Sequence, residues 1–196
     1  MQTSRKKRPL NRDIPYLKDT TLFIIATEGA KTEDQYFTIF RNPKIQVEVI
    51  TAIDNRSAPD YVLGRLDNFY EKYELDVNDE LWLMIDVDNW KNRNLANVCQ
   101  QCLQKGYRLA ISNPCFELWL LLHHIIPDYN EATCKQIKRA LKDCLGSYNG
   151  SRLDLGKYKD HVNNAIQNAK LLDVNSEDRW PQSLGTHVYR VVERIL

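Results

Sequence analysis

What is missing from the 196-residue chain narrows the field first. No apolar run approaches 18 residues, so no membrane-spanning helix and no membrane partner are expected. The basic start, Met1 to Arg12, is not followed by a long apolar stretch. No secretory signal is therefore expected, and the protein reads as cytoplasmic. There is no Gly-rich phosphate loop, which leaves a small-molecule phosphotransferase without support. There is no internal repeat and no low-complexity tract. Cysteine is scarce and odd in number: Cys99, Cys102, Cys115, Cys134 and Cys144. Cys99 and Cys102 form a CxxC, but the second pair that a zinc ribbon needs is absent. All five read as reduced thiols, with Cys99 and Cys102 buried on one face of a helix end. Excess charge is also missing, at a formal +1, and a nucleic-acid binder is usually basic.

That total hides an uneven distribution. Residues 1–20 carry six basic and two acidic side chains. Residues 21–90 carry six basic and fourteen acidic, and residues 91–196 carry fifteen basic and ten acidic. An acidic block between basic ends suits metal binding beside polyanion binding. Solvated helix faces explain the same pattern.

Hydrophobic residues make up 43% of the chain, enough for a real core. Thr21 to Thr27 is a short apolar run rich in β-branched residues, and Glu80 to Ile85 is a second. Both read as strands buried on two faces. Ile45 to Ala52 and Tyr107 to Ser112 complete four predicted strands. Helices are expected from Thr32 (as its cap) through Phe40, over Ser57 to Tyr73, over Leu95 to Lys105 ending at Gly106, and over Cys115 to His124. Beyond these, Glu131 to Leu145, Gly156 to Leu172 and Thr186 to Leu196 read as helices, with no further strand. The expectation is an α/β fold with a mostly parallel four-stranded sheet flanked by helices and a helical C-terminal extension. The division reads as a basic arm at 1–20, a catalytic domain at 21–125, and an extension packed on it at 126–196.

Two acidic features close predicted strands: Glu28 in ATEGAKTE, and Asp86 with Asp88 in MIDVDNW. Parallel strands bring their carboxyl ends to one edge, where ligands of open α/β sheets gather. In an extended segment Asp86 and Asp88 point the same way. Magnesium or manganese, as hard cations, take such oxygen ligands. Such an ion can polarise a phosphodiester and activate water. Glu28 would complete the ligand set or act as general acid/base, and Gly29 would let the backbone approach a phosphate. The bland alternative is a set of solvated acids near strand and helix ends.

A strand ending in EG, followed by one ending in DxD, resembles the Toprim domain of topoisomerases, primases and several nucleases. A more specific resemblance is to the RloB-like family of AbiL-type abortive-infection proteins. It rests on RKKRPLNR, IIATEGAKTEDQYF, LWLMIDVDNW, AISNPCFELWLLLHH, a GKY near residue 157 and a closing THVYRVV. These span nearly the whole chain in order. The resemblance implies magnesium at Glu28, Asp86 and Asp88, with Glu33 as an extra acid and Lys31 as a candidate phosphate contact. It also implies a role in phage defence beside an ATPase partner. The chain is too short for the accessory domains of topoisomerases and primases, so hydrolysis of nucleic acid, DNA or RNA and tRNA among them, is the simplest Toprim activity left. A non-catalytic sensor or adaptor that binds an ATPase is the rival, and a homo-oligomer stays open.

Other residues carry two readings each. Ser112 and Asn113 are placed to cap the helix that follows, near an anion, and Glu117 sits in its first turn. Glu117 is equally a dipole-stabilised acid or a metal or substrate contact. His123 and His124 are read as structural before catalytic, and Cys115 lacks a familiar hydrolase signature. Lys135, Lys138, Arg139 and Lys142 form either a phosphate track or a solvated face. Lys157 and Arg190 lie in family motifs and are candidate phosphate contacts, and Thr186, His187 and Arg190 of the closing motif either dock the last helix or approach the site. Arg5, Lys6, Lys7 and Arg8 are candidates for binding nucleic acid or a partner.

Overall fold

Short runs of β-branched and apolar residues with no polar alternation make strands covered on both faces. In the computed structural model, which describes residues 20–29, 31–41, 43–51, 58–87 and 92–196, two such runs form the centre of a sheet. They are β1 (Thr21–Thr27) and β3 (Glu80–Asp86). β2 (Ile45–Ile50) and β4 (Arg108–Asn113) lie outside them, all parallel, and the order is β2-β1-β3-β4-β5.

β5 is a correction to the expected four strands. Gly185–Thr186 pairs antiparallel with β4, with Ser112 opposite Thr186 and Asn113 opposite Gly185. Two residues are too few to carry a hydrophobic period, so the sequence held no signal for this strand.

Successive side chains alternate between the faces. Leu22, Ile24, Ala26, Leu83, Ile85 and Ile111 point to one side. There they meet α2 (Pro59–Lys72) through Val62, Leu63 and Leu66, and α3 (Asn92–Gln104) through Leu95, Val98, Cys99 and Cys102. The CxxC is thus buried, as its spacing predicts, and burial pushes both thiols up to about 12. α3 ends at Gly106 with φ 76°, and Tyr107 N–H returns to Cys102 O at 3.0 Å.

The opposite face, Phe23, Ile25, Trp82, Met84 and Ala110, takes the remaining helices. These are α1 (Thr32–Phe37) with a 3-10 turn at Thr38–Phe40, α4 (Glu117–Leu122), α5 (Cys134–Leu145), α6 (Gly156–Lys159), α7 (Val162–Leu172) and α8 (Val188–Ile195). The stretch expected as one helix from Gly156 to Leu172 is two, with a turn at Asp160 and His161. α8 is tied to the sheet at its far end. Arg194 grips Glu80 through both carboxylate oxygens, with Nε at 2.6 Å and 2.8 Å, and Trp82 Nε1 donates to Glu80 Oε2 at 3.0 Å. No helix among the described residues is long and apolar enough to cross a membrane.

Two expected caps are not formed. Thr32 Oγ1 donates to Gly150 O at 3.0 Å, and the α1 cap position belongs to Lys31. Ser112 Oγ pairs with Thr186 Oγ1 at 2.8 Å, and Asn113 Nδ2 donates to Pro181 O at 2.9 Å. In each case a partner distant in sequence outcompetes the nearby amides.

Candidate metal site at the carboxyl edge of the sheet

β1 and β3 run side by side and in register, with Thr27, the last residue of β1, opposite Met84, while β3 continues two residues further to Asp86. Glu28 turns back across this edge, and its Oε2 accepts the backbone N–H of Asp86 at 3.0 Å. The turn is closed by Thr27 Oγ1, which donates to Gly29 O at 2.9 Å. Asp86 sits opposite Ser112 of β4, and Val87 N–H donates to Ser112 O at 2.9 Å. Glu28 and Asp86 are therefore brought together. Asp88 lies outside the described residues, as do Arg5, Lys6, Lys7 and Arg8.

Among the described residues Glu33, in the first turn of α1, is not grouped with Glu28 and Asp86; its charged neighbours are Glu117 and Lys138. Its carboxylate lies beneath Gly29, so closely that a Cβ there would run into both carboxylate oxygens. A side chain at Gly29 would therefore force the Glu33 carboxylate to move. Glu33 is 6% exposed and its Oε2 has no hydrogen-bond partner among the described residues. Burial pushes its carboxyl up to about 7, against the pull of its own amide, and the charge of Glu117 adds to the rise. Lys31 is exposed at the helix start.

Glu117 opens α4 and is buried on the far side of Glu33. Its Oε1 accepts the Tyr148 hydroxyl at 2.9 Å and faces Lys138 Nζ at 3.2 Å, while Oε2 faces Cys134 Sγ at 3.7 Å. Cys115 and Cys134 are joined as a disulfide, against the expectation of reduced thiols throughout. Their separation of 19 residues carries no recognisable spacing, and it is the packing of α4 on α5 that brings them together.

The other candidate contacts are bonded within the helical half. Lys157 Nζ donates to Leu145 O at 2.9 Å, closing the end of α5. Arg190 Nη2 donates to Ser176 O at 2.8 Å, to Asp173 Oδ2 at 3.2 Å and to His187 Nε2 at 3.0 Å. His123 is fully buried. Its Nδ1 contacts Trp119 O at 3.0 Å, so that nitrogen is the donor, and Nε2 accepts from the Tyr36 hydroxyl at 3.1 Å. Burial holds its pKa down to about 4, so it is a neutral core residue.

Arg65 is the residue that sequence reasoning missed. Its Nη1 donates to Thr27 O at 2.7 Å, which carries a guanidinium to the edge where Glu28 begins. The signal was a charged residue beside the buried stripe of α2, Val62, Leu63 and Leu66.

The geometry defines a class: an α/β protein with carboxylates gathered at the carboxyl edge of a mostly parallel sheet. The chain belongs to the RloB-like family, whose sequence model, described as RloB-like protein, matches residues 23–195. No curated protein and no solved structure matches it.

Proposed function

We propose that the chain is a Toprim-type endonuclease that needs magnesium or manganese and hydrolyses phosphodiester bonds of DNA or RNA. We further place it in bacterial anti-phage defence of the abortive-infection, AbiL-like kind, working in the cytoplasm with an ATPase partner. One observation carries this reading: Glu28, two strands' worth of sequence away, lies against the backbone of Asp86 at the edge where ligands of open sheets bind.

The donor set fits a hard divalent ion. It is made of carboxylate oxygens, and magnesium needs only one or two of them beside its waters. Glu33 stands outside that set and has a buried carboxylate oxygen with no hydrogen-bond partner among the described residues. Glu28 and Asp86 would hold the ion, with Asp88 as a third ligand. When bound, it supplies polarisation of a phosphoryl oxygen and an activated water. Glu33, with a carboxyl near neutrality, can hold or release a proton at Oε2. Arg65 fixes the end of β1 and brings positive charge toward a phosphate.

The test is a cleavage screen with tRNA, other RNA and DNA, using the protein with and without its ATPase and with magnesium or manganese. Cleavage abolished by chelator, by Glu28→Gln and by Asp86→Asn supports the reading. A complete lack of cleavage, or defence that survives both substitutions, favours a non-catalytic adaptor.

A further inference from the structure

A second cluster of ligating side chains lies on the helical face, apart from Glu28 and Asp86. Ligand atoms of Cys115, Glu117 and Cys134 all lie within 4.8 Å of one another. Each is held in place by a different device. Cys115 stands one residue before the Phe116 N-cap of α4, and Glu117 is the first residue of that helix. Cys134 is the first residue of α5, which is set by a capping box between Thr133 and Gln136. Cys115 is 1% exposed and Glu117 8% exposed.

The carboxylate of Glu117 is already oriented as a ligand. Tyr148 and Lys138 occupy Oε1, at 2.9 Å and 3.2 Å, and Oε2 is turned toward Cys134 Sγ. That division is what outer partners do for a metal-binding carboxylate. A separate observation adds a second buried carboxylate nearby. Glu33 Oε2 is buried without a hydrogen-bond partner among the described residues, within reach of the charge of Glu117. The Lys138 side chain is about half exposed, at 49%, and pairs with Oε1, which leaves Oε2 on the cysteine side.

We propose that the reduced protein binds one zinc ion through Cys115, Cys134 and Glu117. Two sulfurs and an oxygen suit zinc better than magnesium. The disulfide is the metal-free, oxidised state of the same site. A dithiol reductant supplies two electrons and two protons, the S–S bond breaks, and two thiols form. Zinc then displaces the two thiol protons and binds both thiolates. The Cα–Cα distance of 5.6 Å leaves only side-chain rotation to be done. Two thiolates on one zinc lie about 3.8 Å apart, given zinc–sulfur bonds of about 2.3 Å in a tetrahedron. Water is left the fourth position.

The site stands on its own residues, so failure of the nuclease reading leaves it untouched. The experiment uses the full chain, reduced with dithiothreitol, freed of reductant without air, and titrated with zinc and separately with cobalt. One equivalent should bind, and the cobalt form should show thiolate-to-metal charge transfer. Cys115→Ser and Cys134→Ser should each abolish that absorption, while Cys99→Ser with Cys102→Ser should leave it. Tyr148→Phe, which keeps every ligand, should weaken binding about 10–100-fold. X-ray absorption at the zinc edge of the unaltered protein should find two sulfur neighbours, which keeps the test open if a cysteine variant does not fold. A reduced chain that takes up no zinc, binding that moves with Cys99 and Cys102, or a zinc shell of nitrogen and oxygen alone would overturn the proposal.

Discussion

Glu28 Oε2 accepts the backbone N–H of Asp86 at 3.0 Å, across 58 positions of sequence. The bond fixes the Glu28 carboxylate against the backbone of Asp86. It also means that Glu28 has a structural duty, so its substitutions must be chosen to keep an acceptor.

Glu28→Gln keeps the acceptor and removes the charge, and Asp86→Asn does the same for its own side chain. Each should lower metal-dependent cleavage by at least about 100-fold, since even outer partners of a metal are worth 10–100-fold. Thermal unfolding should move little in either variant. Unchanged cleavage rates in both would remove the metal from Glu28 and Asp86.

Gly29 and Glu33 should behave as a coupled pair. Gly29→Ala places a Cβ in the Glu33 carboxylate and should cost roughly 1–3 kcal/mol, the usual range for overpacking. Glu33→Ala clears that space, so the double variant should recover part of the loss. A double-mutant cycle by urea unfolding measures the coupling. Strictly additive losses would mean that the loop moves aside instead.

Glu33 should also set a stability trend with pH. Its folded pKa is raised to about 7 from an ordinary 4.5, so the folded state holds a proton that the unfolded chain gives up. That stabilisation is complete below about pH 4.5 and is lost as pH rises through 7. Glu33→Gln, in chelator, should therefore gain on the wild type as pH rises. The gain above neutrality is at most about 3 kcal/mol, at 1.36 kcal/mol per pKa unit. Melting curves from pH 5 to pH 8 that run parallel would exclude the shift.

His123 should act in the opposite direction. Its folded pKa is lowered to about 4 from 6.5, so the unfolded chain takes up the proton first. Stability from this group is present above pH 6.5 and is lost as pH falls toward 4. Nitrogen-15 NMR should report a neutral ring protonated at Nδ1 down to about pH 5, given the bond to Trp119 O. A titration midpoint near 6.5 would place His123 in contact with water.

The parts legible in sequence were those written as local pattern. Continuous apolar runs marked β1 and β3, and the Leu95, Val98, Cys99 and Cys102 spacing marked the buried face of α3. The acids at strand ends were legible for the same reason, because parallel strands must finish on one edge. What escaped was decided by partners far along the chain. Thr32 could not be read as bonding Gly150, nor Ser112 as bonding Thr186, because nothing near either residue announces the partner. Cys115 with Cys134, and Arg65 with Thr27, are tertiary outcomes of the same kind. Lys157 and Arg190 read as phosphate contacts because a sequence displays charge and conceals which carbonyl or carboxylate satisfies it.

The sheet is covered unevenly, with α2 and α3 on one face and α1 together with everything from α4 onward on the other. This has a consequence for how the molecule comes into being. A ribosome delivers β1 to β4 with α2 and α3 on one side and only α1 on the other. The rest of that second side, with Phe23, Ile25, Trp82 and Met84, waits for α4 to α8, and Arg194 of α8 must still find Glu80. The strand that flanks Ser112 also arrives in the last dozen residues. The acidic edge is therefore framed on its β4 side only when synthesis is nearly over, and an unfinished chain carries its acids on an open, sticky sheet.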